Sequence, residues 1–266
     1  MERPADWAEF CLALAEPDPV DKCRRVRALE QRLDLDSFVF EVAAGREPPP
    51  VGRPHKPELV APSQLARRGL GSVSGRIALI HAVAHIEFNA INLALDAMLR
   101  FRGMPAQYYR DWFSVALDEA RHFTLLNERL AELGAAYGDL PAHNGLWEMA
   151  EKTAHDPLLR MALVPRVLEA RGLDVTPGMI KRLTQAGDAR SVACLELILE
   201  EEVRHVAIGS RWFKHLCLDR GVEAEATFAA LLDEFFTKGL RGPFNRQARH
   251  RAGFSQAELV ALEASA

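Results

Sequence analysis

Two stretches of the chain carry a glutamate and a histidine three residues apart: Glu119 and His122 in Asp118-Glu-Ala-Arg-His-Phe-Thr124, and Glu202 and His205 in Glu200-Glu-Glu-Val-Arg-His-Val206. A helix turns once in about 3.6 residues, so within each stretch the carboxylate and the imidazole leave the same face. In the second stretch that face also carries Leu195, Ile198, Leu199, Val206 and Gly209, while Glu196 and Glu200 fall on the opposite side. In the first it carries Trp112, Val115, Ala116, Phe123 and Leu126. Both pairs therefore point into a core. A buried, ionised carboxylate is costly unless a cation meets it, and beside an imidazole the natural cation is a metal ion. A single such pair is explained as well by a core histidine satisfied by its glutamate, and two Glu-x-x-His matches are unremarkable by count. Their placement in the chain is more informative.

A helical pattern over Ser72–Phe101 sets Ile80, Val83, Ala84, Ala90, Ile91, Ala94 and Met98 on one face, with Glu87 in the middle of it where a leucine would be expected. Arg102-Gly-Met-Pro105 ends this helix, and Pro105 begins the next, which runs to about Leu133 and holds the first box. In an antiparallel hairpin, residues equidistant from the turn lie side by side. The midpoint of Glu87 and Glu119 is the turn glycine, Gly103. The second half repeats this: Glu169 lies in an apolar helical stretch, and the midpoint of Glu169 and His205 is Gly187 of Gln-Ala-Gly-Asp188. The chain thus reads as two units of glutamate, turn and Glu-x-x-His, joined by a crossover near Gly134–Asp156 with room for one short helix. Two such hairpins pack as a four-helix bundle. His81 and His85 lie on another side of their helix from Glu87 and read as a surface or supporting pair rather than as ligands. Gly172 and Asp174-Val-Thr-Pro177 should break the third helix soon after Glu169, either as a kink or as a mouth leading to the site.

This arrangement resembles the ferritin-like di-iron carboxylate superfamily over about Ser72–Asp219, in which one glutamate from each of two helices and a Glu-x-x-His from each of the other two hold the metals. Glu87, Glu119, His122, Glu169, Glu202 and His205 match those positions one by one. The Glu-Ala-Arg-His wording is similar to rubrerythrin. The segments Leu168-Glu-Ala-Arg-Gly-Leu-Asp174 and Gly242-Pro-Phe-Asn245 look most like a bacterial ferritin-like family of unknown function, and tRNA hydroxylases are a more distant likeness. The resemblance implies an all-α, ferritin-like four-helix bundle with additional N- and C-terminal helices. It also implies two iron ions, with manganese or a mixed pair as the alternative. Charge supports a dinuclear site, because four inward carboxylates are balanced by two divalent cations with both imidazoles neutral, and oxygen-rich ligation suits iron or manganese.

The remainder of the chain constrains function less. With 266 residues, 48% of them apolar, and a net charge of −4, it is ordinary globular material with no general attraction to polyanions. No unbroken run of eighteen apolar residues or secretory apolar region is evident, which places the protein in the cytoplasm. Cys11, Cys23, Cys194 and Cys217 form no C-x-x-C pair, which argues against a rubredoxin-type site and a disulfide scaffold. Expected divisions are 1–71, with helices near Ala5–Ala15 and Val20–Leu33 and a proline-rich connecting segment; 72–220, the bundle; and 221–266, a helical extension with a basic loop around Arg241, Arg246, Arg249 and Arg251. That loop either folds over the bundle or gathers an anionic substrate. The expected activity is an O2- or peroxide-dependent oxidoreductase of the hydroxylase type acting on a small organic substrate, with an external reductant. A ferroxidase or iron-handling protein is the second reading and a metal-free interaction bundle the third. A small anionic metabolite is favoured over tRNA as partner, no membrane partner is expected, and a homodimer is left open.

Overall fold

A computed structural model of the chain describes residues 7–33, 40, 47–66 and 69–264. The fold is all-α: among the described residues there is no strand, and Leu59 and Ala142 form an isolated parallel bridge. The chain divides into two compact units, Met1–Trp147 and Glu148–Ala266, each holding one copy of the repeated glutamate and Glu-x-x-His pattern.

The first unit contains α1 (Trp7–Ala15), α2 (Pro19–Glu30), α3 (Val73–Arg100) and α4 (Ala106–Glu132), and α5 (Gly145–Lys152) begins at its end. Asp18 caps α2 by accepting from Val20 N and Asp21 N, and Ser72 caps α3 by accepting from Gly75 N at 3.1 Å. The chain turns at Gly103, with φ of 72°, and α3 and α4 then run antiparallel. Tyr108 Oη donates to Ala97 O at 3.3 Å and Tyr109 Oη to Phe101 O at 3.2 Å, fixing the register from the turn end. Phe10 of α1 meets Phe113 of α4 and Phe40 edge to face, each at 5.1 Å. By length and composition α3 could cross a membrane, yet 67% of its apolar window is buried within the protein, as in a core helix.

The second unit begins with an unbroken helical run: α6 (Pro157–Leu163), a π-helical segment over Val164–Glu169, and α7 (Ala170–Gln185). It continues through a turn at Gly187, with φ of 72°, into α8 (Ala189–Asp219), then α9 (Ala224–Phe235), α10 (Arg246–Arg251) and α11 (Gln256–Ala264). The break expected after Glu169 is absent, since Gly172 and Pro177 both lie inside α7. Pro177 cannot donate to Leu173 O, but Asn245 Nδ2 donates to that carbonyl at 3.2 Å, so the helix passes the proline without an orphaned acceptor. The irregularity falls earlier, at the π turn that begins around Pro165, where a missing N–H makes a wider turn less costly. Pro165 lies against α8 so closely that a Cβ on Gly209 would come within 2.5 Å of its ring.

Candidate metal centre

Within the first unit the α3–α4 hairpin brings Glu87, Glu119 and His122 together, and all three are buried. His122 Nδ1 is 3.0 Å from Glu87 Oε2 and 3.5 Å from Glu119 Oε2, and one ligand-type atom from each residue lies within 4.8 Å of the others. Burial, and after it the neighbouring Glu119 carboxylate, pushes the Glu87 carboxyl well above the usual range, while His122 pulls it partway back. Two buried carboxylates side by side, that of Glu87 held well above its usual range, with an imidazole at hydrogen-bond distance, form a donor set that a divalent cation would relieve. The residues present therefore fit a metal ion.

An aromatic wall stands beside this set. Phe88 and Phe123, the residues that follow Glu87 and His122, are 5.8 Å apart between ring centres and meet the Tyr137 ring at 5.9 and 5.1 Å. Tyr137 is absent from the helical patterns that identified the ligands, because it comes from the crossover and reaches the wall only through the tertiary fold. His81 and His85 are buried, so the surface reading does not hold. The His85 Nδ1 lies 2.8 Å from Tyr137 Oη and its Nε2 3.2 Å from His143 O, while His81 Nε2 accepts from Gly138 N at 2.9 Å. Burial first and then Arg53 pull the His85 imidazole down to about 4, so it is a neutral tie between α3 and the crossover at ordinary pH.

In the second unit His205 is buried and Nδ1 lies 3.4 Å from Glu202 Oε1, on a face of α8 shared with buried Leu195, Ile198 and Val206. Glu196 and Glu200 are exposed, as the helical period requires. Glu169 ends the π segment. Its height follows from the opposed pairs Pro165 with Gly209 and Arg166 with Ser210, which set it level with the turn of α8 that carries His205. The structure thus gathers Glu87, Glu119 and His122 in one unit and Glu202 and His205 in the other, with Glu169 at the matching level of its own hairpin.

The basic C-terminal stretch is engaged with carboxylates of its own unit. Arg249 is buried and donates to both oxygens of Asp174, at 2.9 and 2.7 Å; Arg251 pairs with Glu200, and Arg246 Nη1 lies 3.4 Å from Glu263. Arg166, one turn before Glu169, is fully buried against Glu258.

An all-helical chain with a buried carboxylate and histidine cluster able to hold a metal ion is the class that fold and site define. The chain belongs to the family described as protein of unknown function (DUF455), whose model matches residues 15–260. It is 44% identical over 265 residues, 95% of this chain and 92% of the relative, to an uncharacterized protein of Haemophilus influenzae. No solved structure matches.

Proposed function

We propose that the protein is a ferritin-like di-iron carboxylate protein acting as an O2- or peroxide-dependent oxidoreductase on a small organic substrate. The observation that carries this reading is the buried set of Glu87, Glu119 and His122, in which burial and the Glu119 carboxylate push the Glu87 carboxyl up beside an imidazole. The repeat of the same pattern as Glu169, Glu202 and His205, in a second antiparallel hairpin, supports two ions over one. In this reading the metal ligands are Glu87, Glu119, His122, Glu169, Glu202 and His205. Bound iron would supply the activation of O2 or peroxide. The chain's own part is to orient both histidines, and to exclude water with the Phe88, Phe123 and Tyr137 wall.

The second reading, a ferroxidase whose substrate is Fe(II), rests on the same residues, and an oxygen titration separates the two. Anaerobically loaded protein given O2 without substrate or reductant is expected to consume a limited burst, about one O2 per site, and then stop. Continued oxidation with retention of tens of irons per chain would replace the oxygenase reading with iron storage.

A further inference from the structure

Glu169 closes the π turn, and the helix on both sides of it is tied to the C-terminal segment of the same unit. Before it, Arg166 is fully buried with its guanidinium 4.2, 4.5 and 4.6 Å from the ring centres of Phe228, Phe254 and Phe213. Its Nη2 donates to Glu258 Oε1 at 2.6 Å and its Nε to Ser210 Oγ at 3.2 Å. Glu258 is itself held in place: its Oε2 accepts from Ser255 N at 2.8 Å, while Ser255 Oγ accepts from Glu258 N at 3.1 Å, a reciprocal cap that opens α11. After Glu169, Arg249 grips Asp174, Asn245 N donates to Asp174 Oδ1 at 2.9 Å, and Arg171 donates to Pro243 O and Gly242 O at 2.8 and 3.1 Å.

Two buried guanidiniums with two buried carboxylates are a poor way to gain stability, since apolar residues of similar volume would do as well or better. Bidentate and charge-assisted contacts fix direction instead. A π turn is a local departure from the more favourable α-helical winding and persists where its surroundings over-determine it. The pair Arg166–Glu258 holds the turn from within and the pair Arg249–Asp174 holds the helix just beyond it, so the two flank Glu169. We infer that Arg166, Glu258, Asp174 and Arg249 are positioning residues: the C-terminal segment braces the π turn and thereby holds Glu169 at the level of His205 in its own hairpin, ready to serve as a metal ligand. This inference rests on the proposed function, from which Glu169 takes its ligand role.

Anaerobic Fe(II) titration by equilibrium dialysis, with amide hydrogen exchange on the metal-free protein, tests it in wild type, Glu258→Ala, Glu258→Gln and Arg171→Ala. Folded Glu258→Ala is expected to bind one ion as wild type does and the other at least about 10-fold more weakly, with faster exchange over Val164–Asp174. Glu258→Gln, which keeps an acceptor for Arg166 Nη2, should recover most of that loss. Arg171→Ala, at a half-exposed site that tolerates truncation, should show the same one-ion weakening at about 3-fold. Folded variants that bind both ions with wild-type affinity, even at a lower melting temperature, would overturn the brace; should Glu258→Ala not fold, Arg171→Ala decides alone. A wild type that takes up no metal sinks the proposed function and this inference with it, whereas normal loading in wild type and variants sinks the inference only.

Discussion

Glu87 shows what one residue contributes when its type disagrees with its pattern. It occupies a core position of α3 where an aliphatic side chain would be more stable, and it is met there by Glu119 and His122. Lys22 is a second buried charge, with a different consequence. Its Nζ donates to Leu14 O at 2.6 Å and Ala13 O at 3.2 Å, closing the C-terminus of α1, and burial pulls its ammonium down to about 7. Because the unfolded chain keeps an ordinary lysine, it binds more protons than the folded chain between pH 7 and 10, and stability rises with pH over that window. Below pH 7 both states are charged and the folded state bears the full cost of burial. Wild type should therefore gain on Lys22→Met by roughly 2 kcal/mol between pH 7 and 9, as read from urea denaturation at each pH. A constant difference across that range would show that Lys22 is not held in a low-dielectric site.

At the scale of elements, the approach of the π segment to α8 is set by Gly209. A methyl there would meet the Pro165 ring at 2.5 Å, and that ring is rigid, so the two elements must separate. Gly209→Ala should cost about 1–3 kcal/mol in thermal or chemical unfolding, against a few tenths or a gain at an unobstructed helical glycine. A neutral outcome would mean that the π segment does not pack there. The hairpins themselves were legible from sequence, because helix period and turn glycines are local signals: Gly103 and Gly187 adopt the same φ of 72°, and the buried faces are those the period selects. The π turn, the passage of α7 through Pro177 and the burial of Arg166 were not. Each depends on partners far along the chain: Arg166 meets Ser210 and Glu258, 44 and 92 residues away, and Asn245 supplies Leu173 O with a donor from 72 residues away. Local propensity places a helix end at Gly172 and Pro177, and tertiary hydrogen bonds override it. His81 and His85 are the same lesson in reverse, since nothing local shows that the crossover would cover them.

For the whole molecule, the all-α fold divides into two compact units, and the Glu-x-x-His pattern is divided between them, one copy to each. The basic C-terminal stretch bears on what the molecule binds: Arg249 and Arg251 already pair with Asp174 and Glu200, which favours a brace over a general anion clamp. The central claim of the proposed function is that each copy of the pattern supplies metal ligands, and metal counting after anaerobic Fe(II) reconstitution and desalting tests it most directly. Wild type should retain about two ions per chain, and Glu119→Ala in the first unit and Glu202→Ala in the second should each lose at least one while keeping wild-type helicity. Wild type retaining no metal, or about one zinc per chain, or a Glu202→Ala variant that loads as wild type does, would contradict it.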